Sequence, residues 1–179
     1  MNNDDSYHLS LGRFVDAFAT AEHNLKFALA AMAGVSREIA QALFASTRVD
    51  VSINLIRQIY EAKGKAIENE VDKALSQMKS ILTVRNAIMH YGALYDGGHF
   101  TTSTAPHALP KQAKTSRYKL EDLERMSADL LVIGYRFIWM ALHDLPDVPL
   151  ESIKLLDGYA RAPLQFKPPQ LSGKRIELA

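Results

Sequence analysis

The chain has 179 residues, a formal net charge of +1, 47% hydrophobic residues and no cysteine. This length accommodates one domain with a sizeable core and is short for two. The lack of cysteine excludes disulfide bonds, thiol nucleophiles and cysteine-rich zinc sites. The near-neutral charge differs from that of a strongly basic nucleic-acid-binding domain, so any contact with RNA would depend on local charge.

The sequence also lacks several kinds of functional segment. No apolar run approaches the roughly 18 residues that suggest a membrane-spanning helix, and the polar start Met1-Asn2-Asn3-Asp4-Asp5 is unlike a secretory signal. We therefore expect no membrane contact and a cytoplasmic location. Gly-rich phosphate loops, Ser/His/Asp constellations and Glu-x-x-His pairs are missing from the sequence. No metal or cofactor is expected.

The spacing of apolar residues predicts three long amphipathic helices. Apolar side chains recur at three- and four-residue steps over residues 9–33, 67–91 and 120–144. Gly34 and Gly92 follow the first two, and glycine is typical of the position just after a helix. We expect these helices to pack as a bundle around one core.

Shorter elements are predicted between the long helices. Ser36 can cap a helix that ends near residue 46, and Asp50 can cap another that ends near residue 63. After Gly92, aromatic and threonine residues on both sides of Asp96-Gly97 predict a small β-hairpin. Residues 103–116 are predicted to form a loop.

The chain changes character after residue 145. Five of its seven prolines lie beyond this point and leave room for only a short helix, near residues 150–159. We therefore expect a helical domain over residues 1–145 and a Pro-rich, irregular C-terminal extension over residues 146–179. The extension could contact RNA or a partner subunit, or it could be an ordinary disordered tail.

The end of the second long helix carries polar residues among apolar ones. At about 100° per residue, Arg85 falls near the middle of the apolar arc, roughly in line with Met78 and Met89. A buried arginine keeps its charge and therefore needs a carboxylate, water or an anionic ligand. Asn86 and His90 are four residues apart and can hydrogen-bond at the edge of that arc.

Arg85 and His90 are five residues apart, about 140° around the helix. A single helix does not obviously bring them together. A second copy of the helix, packed along the apolar stripe, would place Arg85 and His90 of both chains around one cleft. We therefore expect a homodimer with a composite site at its interface.

The segment Arg85-Asn86-Ala87-Ile88-Met89-His90 resembles the ribonuclease motif of the HEPN (higher eukaryotes and prokaryotes nucleotide-binding) family. In that motif a polar residue usually follows the arginine, and the histidine comes four to six residues after it. The similarity extends over about residues 9–145. It includes the opening helix and the start of the last long helix, through Phe14, Phe18, Glu22 and Leu25 and through Leu120-Glu121-Asp122-Leu123.

The resemblance implies an all-α, HEPN-like bundle of four to five helices with a small β-hairpin after the motif helix. It further implies a metal-independent endoribonuclease, often a toxin or antiphage component that has an antitoxin or another protein partner. His90 would be the acid or base, and Arg85 would hold the phosphate oxygens of the RNA. Asn86 would orient His90 or contact the phosphate.

Four further residues are candidate RNA contacts. Tyr91 and Tyr95 could stack on unpaired bases, or they could cover the end of the motif helix. Lys114 and Arg117 belong to a basic run that could guide phosphates toward the cleft. An ordinary solvated loop would have the same composition.

The same residues also have a purely structural interpretation. Arg85 could form a buried ion pair in a dimer, with Glu22 as its partner, and His90 could be a cation favoured by the helix dipole. The chain would then be a structural dimerisation unit. A third hypothesis is a non-catalytic HEPN module that binds RNA, a nucleotide or a partner protein.

Overall fold

A computed structural model describes residues 3–103, 115–145 and 148–168. Within these ranges it contains six helices and one three-stranded antiparallel sheet. The elements are α1 (Asn3–Ala33), α2 (Arg37–Phe44), α3 (Val49–Ala62), α4 (Asn69–Tyr91), β1 (Ala93–Asp96), β2 (His99–Ser103), β3 (Thr115–Lys119), α5 (Leu120–Asp144) and α6 (Leu150–Ala160). The mainly helical class predicted from the sequence is confirmed.

Most helix ends follow the local sequence signals. Ser36 caps α2, and its hydroxyl oxygen accepts a hydrogen bond from the Ile39 backbone N–H at 3.4 Å. Gly92 ends α4 with φ of 75°, in the left-handed region that favours glycine. The prediction that Asp50 caps α3 is wrong, because Arg48 occupies the cap position and Asp50 lies in the first turn. An acid there still interacts favourably with the helix dipole.

The central pair of the bundle consists of α1 and α5, which make the most extensive contact between elements. Gly134 lets the two backbones approach closely, since a Cβ at this position would lie 3.0 Å from Asn24 Nδ2 and 3.8 Å from Ala21 Cα. Helices α2 and α3 pack on α1, whereas α4 and α6 pack on α5. All three long helices contribute fully buried side chains to the core, including Phe14, Leu25, Leu29, Leu75, Met78, Ile81, Leu123 and Phe137.

The small sheet covers the end of α4. Its first two strands form the predicted hairpin, but the turn residues are Gly97-Gly98 rather than Asp96-Gly97, because Asp96 pairs with His99. The φ values of 52° and 89° at the two glycines suit a two-residue primed turn. The loop prediction is wrong for residue 103, which belongs to β2, and for residues 115 and 116, which belong to β3 and pair with β2. The rest of the predicted loop, residues 104–114, lies outside the described ranges. Phe100 stacks on Tyr118 with ring centroids 5.0 Å apart, and these rings fill the inner face of the sheet.

Part of the expected C-terminal extension is ordered against the bundle. Phe166 is buried, and the carboxylate of Asp129 on α5 accepts hydrogen bonds from the backbone N–H groups of Gln165 (2.6 Å) and Phe166 (2.9 Å). Gln77 on α4 donates to both Asp129 Oδ2 (2.8 Å) and the Phe166 carbonyl (2.7 Å). Residues 160–166 therefore bridge α4 and α5, whereas residues 169–179 lie outside the described ranges.

Candidate active site at the end of helix α4

The last turns of α4 bury Val84, Ala87 and Ile88. Met89, expected on the apolar face, is 51% exposed. The buried side of these last turns is rotated by roughly a third of a revolution from the buried side around Met78. Helix α4 packs on β2 as well as on α5. The prediction that Arg85 lies in the middle of the buried arc is therefore wrong. Arg85 is only partly buried, at one edge of an exposed surface.

This exposed surface, the α4 terminal face, consists of Arg85, Asn86, Met89 and His90. Arg85 and Met89 are one helical turn apart, as are Asn86 and His90. The two rows run side by side, with Arg85 and His90 at opposite edges about 140° apart. One copy of the helix thus presents a cation, an amide and an imidazole around an exposed methionine.

Arg85 is held by two neighbours. Its Nη1 donates to Asn86 Oδ1 at 3.0 Å, and its Cζ lies 5.4 Å from the ring centroid of Phe18 on α1. A cation over an aromatic face gains about 0.5–1 kcal/mol at partly exposed sites. Within the described ranges no carboxylate forms an ion pair with this guanidinium, and Glu22 pairs with Lys26 at 3.0 Å instead. The proposed Arg85–Glu22 pair is thus not formed within one chain.

His90 lies in the last turn of α4 with an exposed side chain. Its ring meets the Tyr91 ring edge-on, with centroids 6.3 Å apart. The expected hydrogen bond between Asn86 and His90 is not formed in the part of the chain that the structure describes; there Asn86 Oδ1 accepts from Arg85 instead. The amide therefore orients the cation and leaves the imidazole free to face a ligand.

The other candidate RNA contacts have different surroundings. Tyr91 is 48% exposed beside His90, whereas Tyr95 is half-buried and stacks on Tyr7 with centroids 4.8 Å apart. Arg117 is exposed on β3, on the outer face of the sheet. Lys114 lies outside the described residues. Among the three candidates that the structure describes, Tyr91 is the one whose ring contacts a residue of the terminal face.

Burial raises the pKa of the Tyr7 and Tyr118 phenols above the ordinary value. Burial thus favours the protonated, neutral form of both hydroxyls. Sequence reasoning missed Tyr7 and the support that Phe18 gives to Arg85. Both contacts join α1 to segments far along the chain, and hydrophobic spacing marks such residues as core without naming their partners.

The described residues contain no group of three or more His, Cys, Asp or Glu side chains arranged to hold a metal ion. In the same ranges no helix is both long enough and apolar enough to cross a membrane. No protein-family model matches the chain, and neither a curated protein nor a solved structure is significantly similar to it. The geometry of the α4 terminal face is therefore the basis on which a function is assigned.

Proposed function

We propose that this protein is a metal-independent endoribonuclease of the HEPN type that works as a cytoplasmic homodimer. The observation that supports it most directly is that the guanidinium of Arg85 has no carboxylate partner among the described residues. Its guanidinium is oriented by Phe18 and Asn86, and no carboxylate in the described ranges neutralises it. It shares one exposed helix face with His90. A phosphodiester fits between such groups because arginine binds phosphate oxygens bidentately and histidine exchanges protons near neutral pH.

In this mechanism the RNA supplies its own nucleophile. The 2′-hydroxyl attacks the adjacent phosphorus while one imidazole removes its proton, and the bond from phosphorus to the 5′ oxygen breaks. The departing oxygen takes a proton from a water molecule, and the protonated imidazole returns its proton to the resulting hydroxide. The products are a 2′,3′-cyclic phosphate and a free 5′-hydroxyl. Arg85 stabilises the charge on the non-bridging oxygens as it develops.

The dimer brings these groups together. Met89 is exposed at the centre of the α4 terminal face, and Val15, three residues before Phe18 on α1, is also exposed. Residues three apart are neighbours on a helix surface, so this apolar area adjoins Arg85. Its burial against a second copy would favour association and would bring Arg85 of one chain toward the His90 of the other.

A non-catalytic HEPN module that binds RNA, a nucleotide or a partner protein is the second candidate. The contact that favours it is the Asn86–Arg85 hydrogen bond. Among the described residues no side chain hydrogen-bonds to His90, whereas a general acid or base would benefit from a partner that orients its ring. Arg85 would then bind phosphate without cleavage.

The decisive experiment is RNA cleavage in the presence of EDTA. We expect wild-type protein to produce 2′,3′-cyclic phosphate ends, and Arg85→Ala and His90→Ala each to lower the rate by about 100-fold or more. His23→Ala is the matched control, because His23 is an exposed histidine on α1. RNA binding without cleavage would select the binding module. Cleavage that survives both substitutions would contradict the catalytic roles assigned to Arg85 and His90.

The biological setting stays a prediction. An RNA-cleaving dimer of this kind fits a toxin or antiphage effector with an antitoxin or another protein partner. Expression of the wild-type chain would then arrest growth, and His90→Ala would relieve the arrest.

A further inference from the structure

A second polar site lies on the other side of α4. A groove of about 610 Å³ runs between the first half of α4, helix α5 and residues 161–166. Its α4 side chains lie about half a turn around the helix from the α4 terminal face. The charged residues that line it are Glu70, Lys73, Arg136 and Arg161, of which three are cations. This volume is typical of sites for small molecules.

Arg136 lies at the base of this groove with only 2% of its side chain exposed. Its Nε donates to the Ala160 carbonyl at 2.6 Å, and its Nη2 donates to the Ala162 carbonyl and to Glu70 Oε2, both at 2.8 Å. Its Nη1 is buried and has no hydrogen-bond partner among the described residues. A buried charged donor without an acceptor is costly, so this guanidinium has capacity for a further anionic oxygen.

Glu70 occupies the position that an anion would take. Its carboxylate lies between Lys73 Nζ at 2.7 Å and Arg136 Nη2 at 2.8 Å. The hydrogen bond from Lys73, followed by the charge of Arg136, holds the pKa of Glu70 below its ordinary value, so the group is ionised. The Glu70 side chain is 38% exposed. It can therefore rotate into solvent when a stronger anion arrives.

Arg161 adds a cation at the rim. Asp157 accepts two hydrogen bonds from its Nε, at 2.9 and 2.8 Å, and thereby fixes the side chain. Asp129 also lies near Arg136, but its oxygens are occupied by Gln77 and by two backbone N–H groups. Glu70 is thus the acid in the described lining that an incoming anion has to displace.

We propose that this groove binds the phosphoryl group of a small phosphorylated ligand, which replaces the Glu70 carboxylate between Lys73 and Arg136. A phosphate carries more charge than a carboxylate and offers more acceptor oxygens. It can engage both cations and approach Arg161. The inference is independent of the proposed ribonuclease function, because it uses none of the residues of the α4 terminal face.

Isothermal titration calorimetry at constant ionic strength tests this, with inorganic phosphate and adenosine 5′-monophosphate as separate probes. We expect saturable binding that Lys73→Ala weakens about tenfold, the loss of one charge-assisted contact. Glu70→Gln should tighten binding, because it removes the competing carboxylate. Lys79→Ala is the matched control, since Lys79 is an exposed lysine on the same helix and does not line the groove.

The two probes distinguish the sources of the phosphoryl group. Tighter binding of the nucleotide supports a nucleotide ligand, and equal binding supports recognition of the phosphate alone. Arg85→Ala should leave both isotherms unchanged. The proposal is overturned if neither probe binds saturably, if Lys73→Ala and Lys79→Ala bind alike, or if Arg85→Ala abolishes the binding.

Discussion

The surroundings of Arg85 fix its side chain in a way that suits the phosphate-binding role proposed for it. An isolated guanidinium on a helix surface is flexible and well hydrated, and ordering it costs side-chain entropy. Here the Phe18 ring and the Asn86 oxygen fix it before any ligand arrives. It has five N–H donors, of which Asn86 takes one. Preorganised donors of this kind stabilise developing charge more effectively than mobile ones.

The two tyrosines near the terminal face should respond differently to removal of the ring. Tyr91→Ala should weaken RNA binding about tenfold and leave the melting temperature almost unchanged, because an exposed ring can stack on a base. Tyr95→Ala should lower the free energy of unfolding by about 2 kcal/mol, since its ring packs on Tyr7. Fluorescence binding assays and thermal melts measure the two effects. Equal effects of both variants on stability would contradict this assignment.

The sequence indicates which residues form the candidate site, but it does not predict their environment. The out-of-place Arg85 and its spacing from His90 are visible in the linear pattern. The exposure of Met89 and the Asn86–Arg85 bond are not, because an ideal 100° wheel cannot anticipate where β2 packs against the helix. A straight apolar face along α4 predicts that Arg85 is in the core, whereas in the structure Arg85 lies at the edge of the exposed α4 terminal face.

At the scale of elements, the packing of residues 160–166 against the bundle was not predicted from the sequence. Three polar side chains, Gln77, Asp129 and Arg136, hold this segment across α4 and α5. Burial lowers the pKa of Arg136, and the charges of Glu70 and Asp129 oppose that shift. Prolines and the loss of periodicity predict irregular backbone, but irregular backbone can still be ordered where buried side chains satisfy its N–H and C=O groups.

Asp129→Ala should detach this segment. The substitution leaves the Gln165 and Phe166 backbone N–H groups without their acceptor, and we expect a loss of about 3 kcal/mol in the free energy of unfolding. Proteolysis after residue 160 should also become faster. Asp16→Ala, at an exposed position on α1, should change stability by less than about 0.5 kcal/mol. Similar urea midpoints for the two variants would show that the segment is not held by Asp129.

The helices could be predicted well, because hydrophobic spacing is local. Two of their starts could not: α1 begins at Asn3 rather than near residue 9, and Asp50 does not cap α3. The hairpin was equally accessible through its glycine turn. Strand β3 could not be anticipated, since its pairing with β2 joins segments separated by a long connection. The packing of residues 160–166 on α4 and α5 also joins distant segments, so local sequence patterns did not predict it.

At the scale of the whole molecule, the proposed function requires a second copy of the chain. Arg85 and His90 lie at opposite edges of one helix face, with exposed Met89 between them. If two such faces met at a symmetry axis, the two Met89 side chains would be buried, and Arg85 of each chain would lie beside His90 of the other. Each active pair would then consist of Arg85 from one chain and His90 from the other.

The most direct measurement is RNA cleavage in EDTA by mixed dimers of the Arg85→Ala and His90→Ala chains, isolated through two different affinity tags. Each variant alone is expected to be inactive. The mixed dimer retains one Arg85 and one His90 on opposite chains, so we predict that it regains cleavage with cyclic phosphate products. A mixed dimer as inactive as its parents, or a chain that stays monomeric, would contradict the shared site.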